Sequence, residues 1–333
     1  MKEITNCPSA LAAGYDTYSP VALRRLFDKQ MVSHTLPYET IEKSEEDAQL
    51  FMENKMRVSI SGVQSKYSMV IKYGELKLAP ENEQGHYILK PKPSEIKNPL
   101  ECAANENLTM QIAEQVFKME TAANGLCFFQ DGETAYITRR FDITPDGNKY
   151  RVEDFASLAG LTSENAGDNF KYDYSYEEVA DLIKRFLPAK SVELLKFYRL
   201  ILFNFLFSNG DAHLKNFSVI DRGGGDFRLA PAYDLLNTRI HVDDADFALD
   251  KGLFKTDRSD FFKGGKAIGV SFKQFALAIG LPETIADKEL SLFTTKHPLI
   301  DELIDRSFLS EKIKRQYRTL YQTKRNRLAD MKL

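Results

Sequence analysis

The feature that most constrains this chain is an apolar run over residues 194–207 that stops abruptly at Ser208-Asn209-Gly210-Asp211. The run has no Gly or Pro and is too long for a strand, so it predicts a buried helix. Asn209-Gly210 predicts the stop, with Gly supplying the positive φ that a sharp turn uses. Past the break come Asp211 and, five residues on, Asn216. Residues 217–220 read as a strand, 222–226 as a Gly-rich turn and 228–230 as a returning strand, which carries Ala232-Tyr233-Asp234 back beside the loop. Phosphoryl transfer needs one carboxylate to orient an attacking hydroxyl, with a second carboxylate and an amide oxygen to hold Mg²⁺. A lone Asp or Asn after a helix is more often a turn residue. The order helix, break, Asp, Asn, hairpin, Asp is what carries the reading.

With 333 residues the chain can build two lobes, each with a core. A hydrophobic share of 43% beside 28% charged residues is that of a soluble globular protein, and a net charge of −3 gives no global reason for nucleic-acid binding. Cys7, Cys102 and Cys127 are odd in number, far apart and outside any C-x-x-C pattern, which predicts reduced thiols. The histidines are dispersed with no H-x-x-x-H, against a zinc enzyme. No leader pattern and no membrane-length apolar run is present, so a cytoplasmic protein without membrane contact is expected.

Ahead of the central block, Ser19 and Pro20 predict a capped helix over 21–27. The Ser- and Gly-bearing stretch 57–66 is followed by predicted strands at 67–72 and 75–78. Strand, small-residue loop and strand could form a flap over ATP phosphates, though with Gly62 alone an ordinary hairpin would look similar. A further strand over 87–90 ends in Lys90, placed to reach phosphates. The series Leu100, Ala104, Leu108, Ile112, Val116 predicts a helix whose Glu106, off that stripe, could orient Lys90 or simply face solvent. Residues 135–141 read as a strand, and Pro145, Asp146 and Gly147 place a boundary that gives lobes 1–145 and 146–333. Helical patterns follow at 152–159 and 176–186, with a polar loop at 163–173, an irregular stretch at 239–265, and helices at 271–279, 284–294, 299–304 and 309–331. The basic residues of the last one read as a solvated face. His213 could be a base, but a loop-bracing role fits it better and Asp211 is the better proton acceptor.

The blocks GDAHLKNFS (210–218) and LAPAYDLLNT (229–238) resemble those of the HipA family of serine/threonine kinases, toxins of bacterial toxin–antitoxin systems. So do residues 7–27, RVSISGVQSK (57–66), YILKP (87–91), NEN (105–107), RRFD (139–142) and EDFASLAG (153–160), in order and over nearly the whole chain. The resemblance implies an α+β, two-lobed protein-kinase-like fold that transfers the γ-phosphate of Mg²⁺-bound ATP to a protein serine. It implies Asp211 and His213 in catalysis, and Asn216 and Asp234 as metal ligands. Nucleotide contacts would come from Ser61, Gly62, Val63, Gln64, Lys90, Glu106, Arg140, Phe141 and Lys215, with Arg140-Phe141 meeting adenine through backbone. Autophosphorylation is implied at Ser59 and Ser61. Longer members begin with a further small domain that this chain is expected to lack, which makes it resemble the shorter HipT toxins. The implied partners are a HipB-like helix-turn-helix antitoxin, with DNA reached only through it, and a separate HipS-like protein in place of the missing domain. The implied target is an aminoacyl-tRNA synthetase. Two rivals are a small-molecule phosphotransferase of the aminoglycoside type and a non-catalytic co-repressor. The serine-bearing stretch and AYDLLNT argue against the first, and the joint presence of Lys90, Asp211, Asn216 and Asp234 against the second.

Overall fold

A computed structural model describes residues 3–40, 42–54, 64–144 and 146–333. Ser59, Ser61, Gly62 and Val63 therefore lie outside the described residues. The chain divides into two compact units, Met1–Phe141 with Pro298–Arg315 and Asp142–His297 with Gln316–Leu333. The first thus takes in a late stretch that the sequence reading had left with the second half.

In the first unit, helix α1 (Pro20–Phe27) begins where the Ser19 hydroxyl accepts the Ala22 N–H at 3.3 Å, with Pro20 in the first turn. Helix α2 spans Glu45–Glu53. Five antiparallel strands follow: β1 (Tyr67–Lys72), β2 (Glu75–Leu78), β3 (Tyr87–Lys90), β4 (Asn124–Phe128) and β5 (Thr134–Arg139), in the spatial order β2-β1-β3-β5-β4. Tyr73 and Gly74, both at positive φ, close β1 onto β2 in a two-residue turn whose twist matches the strands. Phe27, Phe51, Tyr67, Met69 and Leu89 gather into the core beside the sheet, the Phe51 ring meeting Tyr67 edge-on at 4.7 Å. Strand β4 has no alternating pattern because all five of its residues are buried, and its Asn-Gly start looks like a turn. Gly125 is required there: a Cβ would lie 2.9 Å from the Ser9 Cβ.

Helix α3 (Cys102–Gln115) packs on β4 and β5. Of the expected apolar stripe Ala104, Leu108 and Ile112 are inside while Leu100 is exposed ahead of the helix, and burial is not confined to a stripe, since every residue from 102 to 113 is inside. Its polar residues are paired there. Asn107 Nδ2 donates to the Ser9 carbonyl at 3.1 Å and to Asn124 Oδ1 at 3.0 Å, and Thr109 Oγ1 donates to the Asn105 carbonyl at 2.9 Å.

The second unit departs from the sequence reading at its start. Residues 152–159 do not form a single helix: β6 (Arg151–Asp154) is followed by a one-turn α4 (Phe155–Leu158). Asp154 decides the change, because its carboxylate accepts the Ser157 N–H at 2.9 Å and so starts the helix there. The residues before it pair with a strand nearly seventy positions on, which local periodicity cannot report. The expected polar loop 163–173 also contains a short helix, α5 (Ser163–Ala166), set by reciprocal Thr162–Asn165 capping. Helix α6 (Tyr176–Phe186) has the same device in Ser175 and Glu178, and packs on α7 (Lys190–Leu206).

Helix α7 buries Phe197, Phe203, Phe205 and Leu206. Strands β7 (Ser218–Asp221) and β8 (Phe227–Leu229) form the expected hairpin, in the sheet order β6-β7-β8. Past it come the two-residue strands β9 (Phe262–Lys263) and β10 (Lys266–Ala267), then α8 (Gly269–Ala278) and α9 (Glu283–Thr294). Helix α10 (Pro298–Arg306) packs on α3 of the first unit, and α11 (Glu311–Ala329) ends the helices. The basic residues of α11 are not all on a solvated face. Lys314 and Lys324 are buried, and Lys324 and Arg327 both pair with Asp246. All three cysteines are buried and unbridged. Among the described residues no helix is long and apolar enough to cross a membrane.

Candidate active site

In the first unit, β3 ends at Lys90, opposite Tyr136 on β5. Its Nζ lies 2.7 Å from Glu106 Oε1 and 5.1 Å from the centre of the Tyr136 ring. Both partners are buried, 4% and 2% exposed, so the solvated reading of either does not hold. Charges this deep persist only when paired. Gln64, the first described residue after the Ser-Gly stretch, donates from Nε2 to the Pro91 carbonyl at 2.7 Å. That bond fastens Gln64 beside the strand that carries Lys90. The Arg140 N–H donates to the His86 carbonyl at 2.9 Å, continuing the ladder past the end of β5 toward Phe141.

The second unit holds Asp211, His213, Lys215, Asn216 and Asp234. Helix α7 does stop before Asp211, but by another means than expected. The positive φ falls on Ser208, at 55°, and Gly210 is not at positive φ. Gly210 is needed for close approach instead, because a Cβ there would lie 2.5 Å from Asp244 Cβ and 2.8 Å from the Ala245 carbonyl oxygen. Its N–H donates to Thr238 Oγ1 at 2.9 Å. The loop then closes on itself. Asn216 Nδ2 donates to the Asp211 carbonyl at 2.7 Å, and the His213 N–H donates to the same carbonyl at 2.8 Å. Tyr233 ties the returning strand to the loop, with its hydroxyl 2.5 Å from Ser218 Oγ and 3.1 Å from the Lys215 carbonyl. Asp234 follows at φ 54°, a left-handed conformation uncommon outside Gly, Asn and Asp, and its carbonyl accepts from Asn209 Nδ2 at 3.4 Å.

Asp211 keeps half of its side-chain surface open, yet it sits in a crowded, acid-rich recess. Burial, with Asp244 and Asp234 nearby, pushes its carboxyl up to about 6, against the opposing pull of Lys171. A carboxylate near neutrality is a better proton acceptor than an ordinary one. His213 is the reverse. Burial and the charge of Lys171 push it down to about 4, leaving a neutral ring whose Nε2 lies 3.8 Å from Asp211 Oδ1. Its ring packs edge-on against Tyr172, 5.4 Å between centres. Neutral, buried and packed edge-on against Tyr172, His213 is placed to brace the loop rather than to take a proton.

Asn216 spends its amide NH₂ within the loop, which leaves the side-chain oxygen for another partner. Mg²⁺ takes hard oxygen donors, and the Asn216 side-chain oxygen and the Asp234 carboxylate are donors of that kind. Among the described residues no group of three or more His, Cys, Asp or Glu side chains is gathered to hold a metal, so a cation here would rest on one acid, one amide and ligands from elsewhere. Lys215 is drawn to Asp154, 2.7 Å away. Lys171 and Tyr172, which the sequence reading left in a polar loop, belong to this recess: the Tyr172 hydroxyl lies 3.4 Å from Asp211 Oδ1. Only the fold brings them there, so no local pattern marked them.

A family model described as the HipA-like C-terminal domain matches residues 58–296. A Haemophilus influenzae protein provisionally named a kinase is 27% identical over 310 residues, covering 88% of this chain and 87% of that protein. A Sinorhizobium fredii protein, also provisionally named a kinase, is 31% identical over 202 residues, or 56% of this chain and 44% of that one. Among solved structures, the chain is similar to HipA of Shewanella oneidensis, determined in a toxin–antitoxin complex with HipB and operator DNA. The TM-score is 0.63 at 20% identity, over 86% of this chain and 70% of that one. At that identity the likeness shows the fold, which is α+β, two-lobed and kinase-like.

Proposed function

The chain belongs to the HipA-like C-terminal domain family, and from that premise we propose that it is an ATP-dependent serine/threonine protein kinase acting as a toxin. The observation that carries the reading is Asp211, a half-open carboxylate raised toward neutrality, on one short loop with Asn216 and opposite Asp234. In the proposed reaction an acceptor serine oxygen bonds to the γ-phosphorus of ATP. The bond from that phosphorus to the β,γ-bridging oxygen breaks, its electron pair leaves with ADP, and the serine proton passes to Asp211. Asn216 and Asp234 would hold magnesium, which when bound neutralises phosphate charge. His213 holds the loop, and Lys90, kept straight by Glu106, is the proposed phosphate contact of the first unit.

Ser59 and Ser61 are the proposed autophosphorylation sites. A phosphoserine there would bring about −1.5 to −2 charges into a stretch assigned to ATP phosphates, switching the kinase off. The proposed partners are a HipB-like DNA-binding antitoxin and a HipS-like protein, and the proposed target is an aminoacyl-tRNA synthetase. HipA of Shewanella, a structural neighbour, was solved with HipB and DNA, which supports the first partner. The test is incubation of the purified protein with magnesium and γ-labelled ATP, followed by mass spectrometry of the peptide holding Ser59 and Ser61. Label on that peptide in the parent and none in Asp211→Asn is expected. A parent that neither labels itself nor any cell-extract protein would end the kinase reading.

A further inference from the structure

We propose that Lys171 is the cation of the second unit that grips the phosphoryl group during transfer, an assignment that rests on the kinase reading above. Lys171 stands on the segment between α5 and α6, forty residues before Asp211, and the fold stitches that segment to the catalytic loop. The Leu214 N–H donates to the Lys171 carbonyl at 3.0 Å, the adjacent Tyr172 hydroxyl reaches Asp211, and the Asp250 N–H donates to the Tyr172 carbonyl at 2.9 Å. The Lys171 ammonium lies 4.8 Å from the centre of the Tyr172 ring, which holds the side chain against the recess.

Its charge is unspent. The side chain is partly buried, and among the described residues no carboxylate lies within ion-pair distance of it. Lys215, the more obvious candidate from the sequence, is held by Asp154. A partly buried ammonium without a close counter-ion loses hydration and gains little in return. The surrounding fields agree: burial lowers the lysine, and Asp211 acts to raise it. Such a group is suited to an anion that arrives with the substrate. The γ-phosphoryl oxygens are that anion, because they must lie within reach of the hydroxyl that Asp211 orients. Lys171 keeps its protons throughout and donates them as hydrogen bonds as charge develops on the oxygens.

The plain alternative is that Lys171 only packs on Tyr172. The two are separated with Lys171→Gln and Lys171→Arg in the full chain, by calorimetric binding of Mg-ATP and Mg-ADP, by kcat and KM, and by thermal unfolding. The expected result for Lys171→Gln is parent-like ADP affinity, lost preference for ATP over ADP, and kcat down by about a hundredfold or more, the scale of removing one transition-state donor. Lys171→Arg should recover part of the ATP preference. A glutamine variant with the parent's ATP-to-ADP ratio and kcat would overturn the assignment, whatever its melting temperature. A parent that binds neither nucleotide would instead defeat the kinase reading, and Lys171 with it.

Discussion

Gly210 and Asp244 touch so closely that a methyl group cannot be placed between them: a Cβ on Gly210 would come within 2.5 Å of the Asp244 Cβ. The loop that starts at Asp211 is therefore held against the segment beyond Asp234 by backbone proximity. Gly210→Ala should force one of the two aside, at about 1–3 kcal/mol for overpacking. Urea unfolding measures the cost, and a midpoint equal to the parent's would mean that the contact yields freely.

Asp211→Asn and Asp234→Asn should each lower phosphoryl transfer by at least about a hundredfold, the scale of losing a positioned acid–base group. Both should unfold with the parent, since Asp211 is half open and asparagine keeps the shape of each side chain. Initial rates with γ-labelled ATP decide it. Near-parental labelling by either variant removes that residue from the mechanism.

The Lys90–Glu106 pair predicts an asymmetry between single and double changes. Glu106→Ala leaves a buried ammonium without its near carboxylate, and should cost about 3–5 kcal/mol. Lys90→Met combined with Glu106→Leu replaces both charges by apolar bulk, and should recover most of that loss. The double variant should still fail to bind Mg-ATP. Calorimetry that found parental ATP affinity in it would return Lys90 to a purely structural role.

Asp246 sets an acid limit on the second unit. Burial alone would raise its carboxyl, but the hydrogen bond from Arg327 and the charge of Lys324 outweigh burial and bring it down to about 2. A folded-state pKa below the unfolded value of about 3.9 stabilises the fold above that pH. The contribution, about 2–3 kcal/mol, is lost as pH falls from about 4 to about 2. Asp246→Asn should flatten this part of the stability–pH curve and lower stability at pH 7. A variant curve parallel to the parent's from pH 4 to 2 would show that Asp246 is not the group responsible.

Elements whose signals are local could be read from the chain. Strand β3, a short apolar run with Lys90 at its end, and helix α6 lie where the local patterns place them. The apolar run before Asp211 likewise marked α7. What stayed hidden depends on distant partners. Strand β4 is buried on both faces and so has no alternation. Residues 151–154 become a strand only because 218–221 lie alongside. The burial of Lys324 needs Asp246, and the place of Lys171 needs the catalytic loop. The loop motif itself was legible because its residues are close in sequence. Its surroundings were not, because Lys171, Tyr172 and Asp244 reach it from other segments.

The late return of the chain to its first unit has a consequence for biosynthesis. Helix α3, which carries Glu106, packs against α10, and this end of the unit is closed by Asn6 donating to the Arg306 carbonyl at 3.0 Å and by the Ser310 N–H donating to Glu101 at 2.9 Å. A ribosome leaving Phe141 must first translate the whole of residues 142–297, which at roughly 5–20 residues per second takes about 10–30 s. Throughout that interval the nascent N-terminal unit stands without its last helix. A chain that terminates before α10 therefore releases an α3 that never meets it, so the buried lysine–glutamate pair acquires its full packing only in molecules translated past α10.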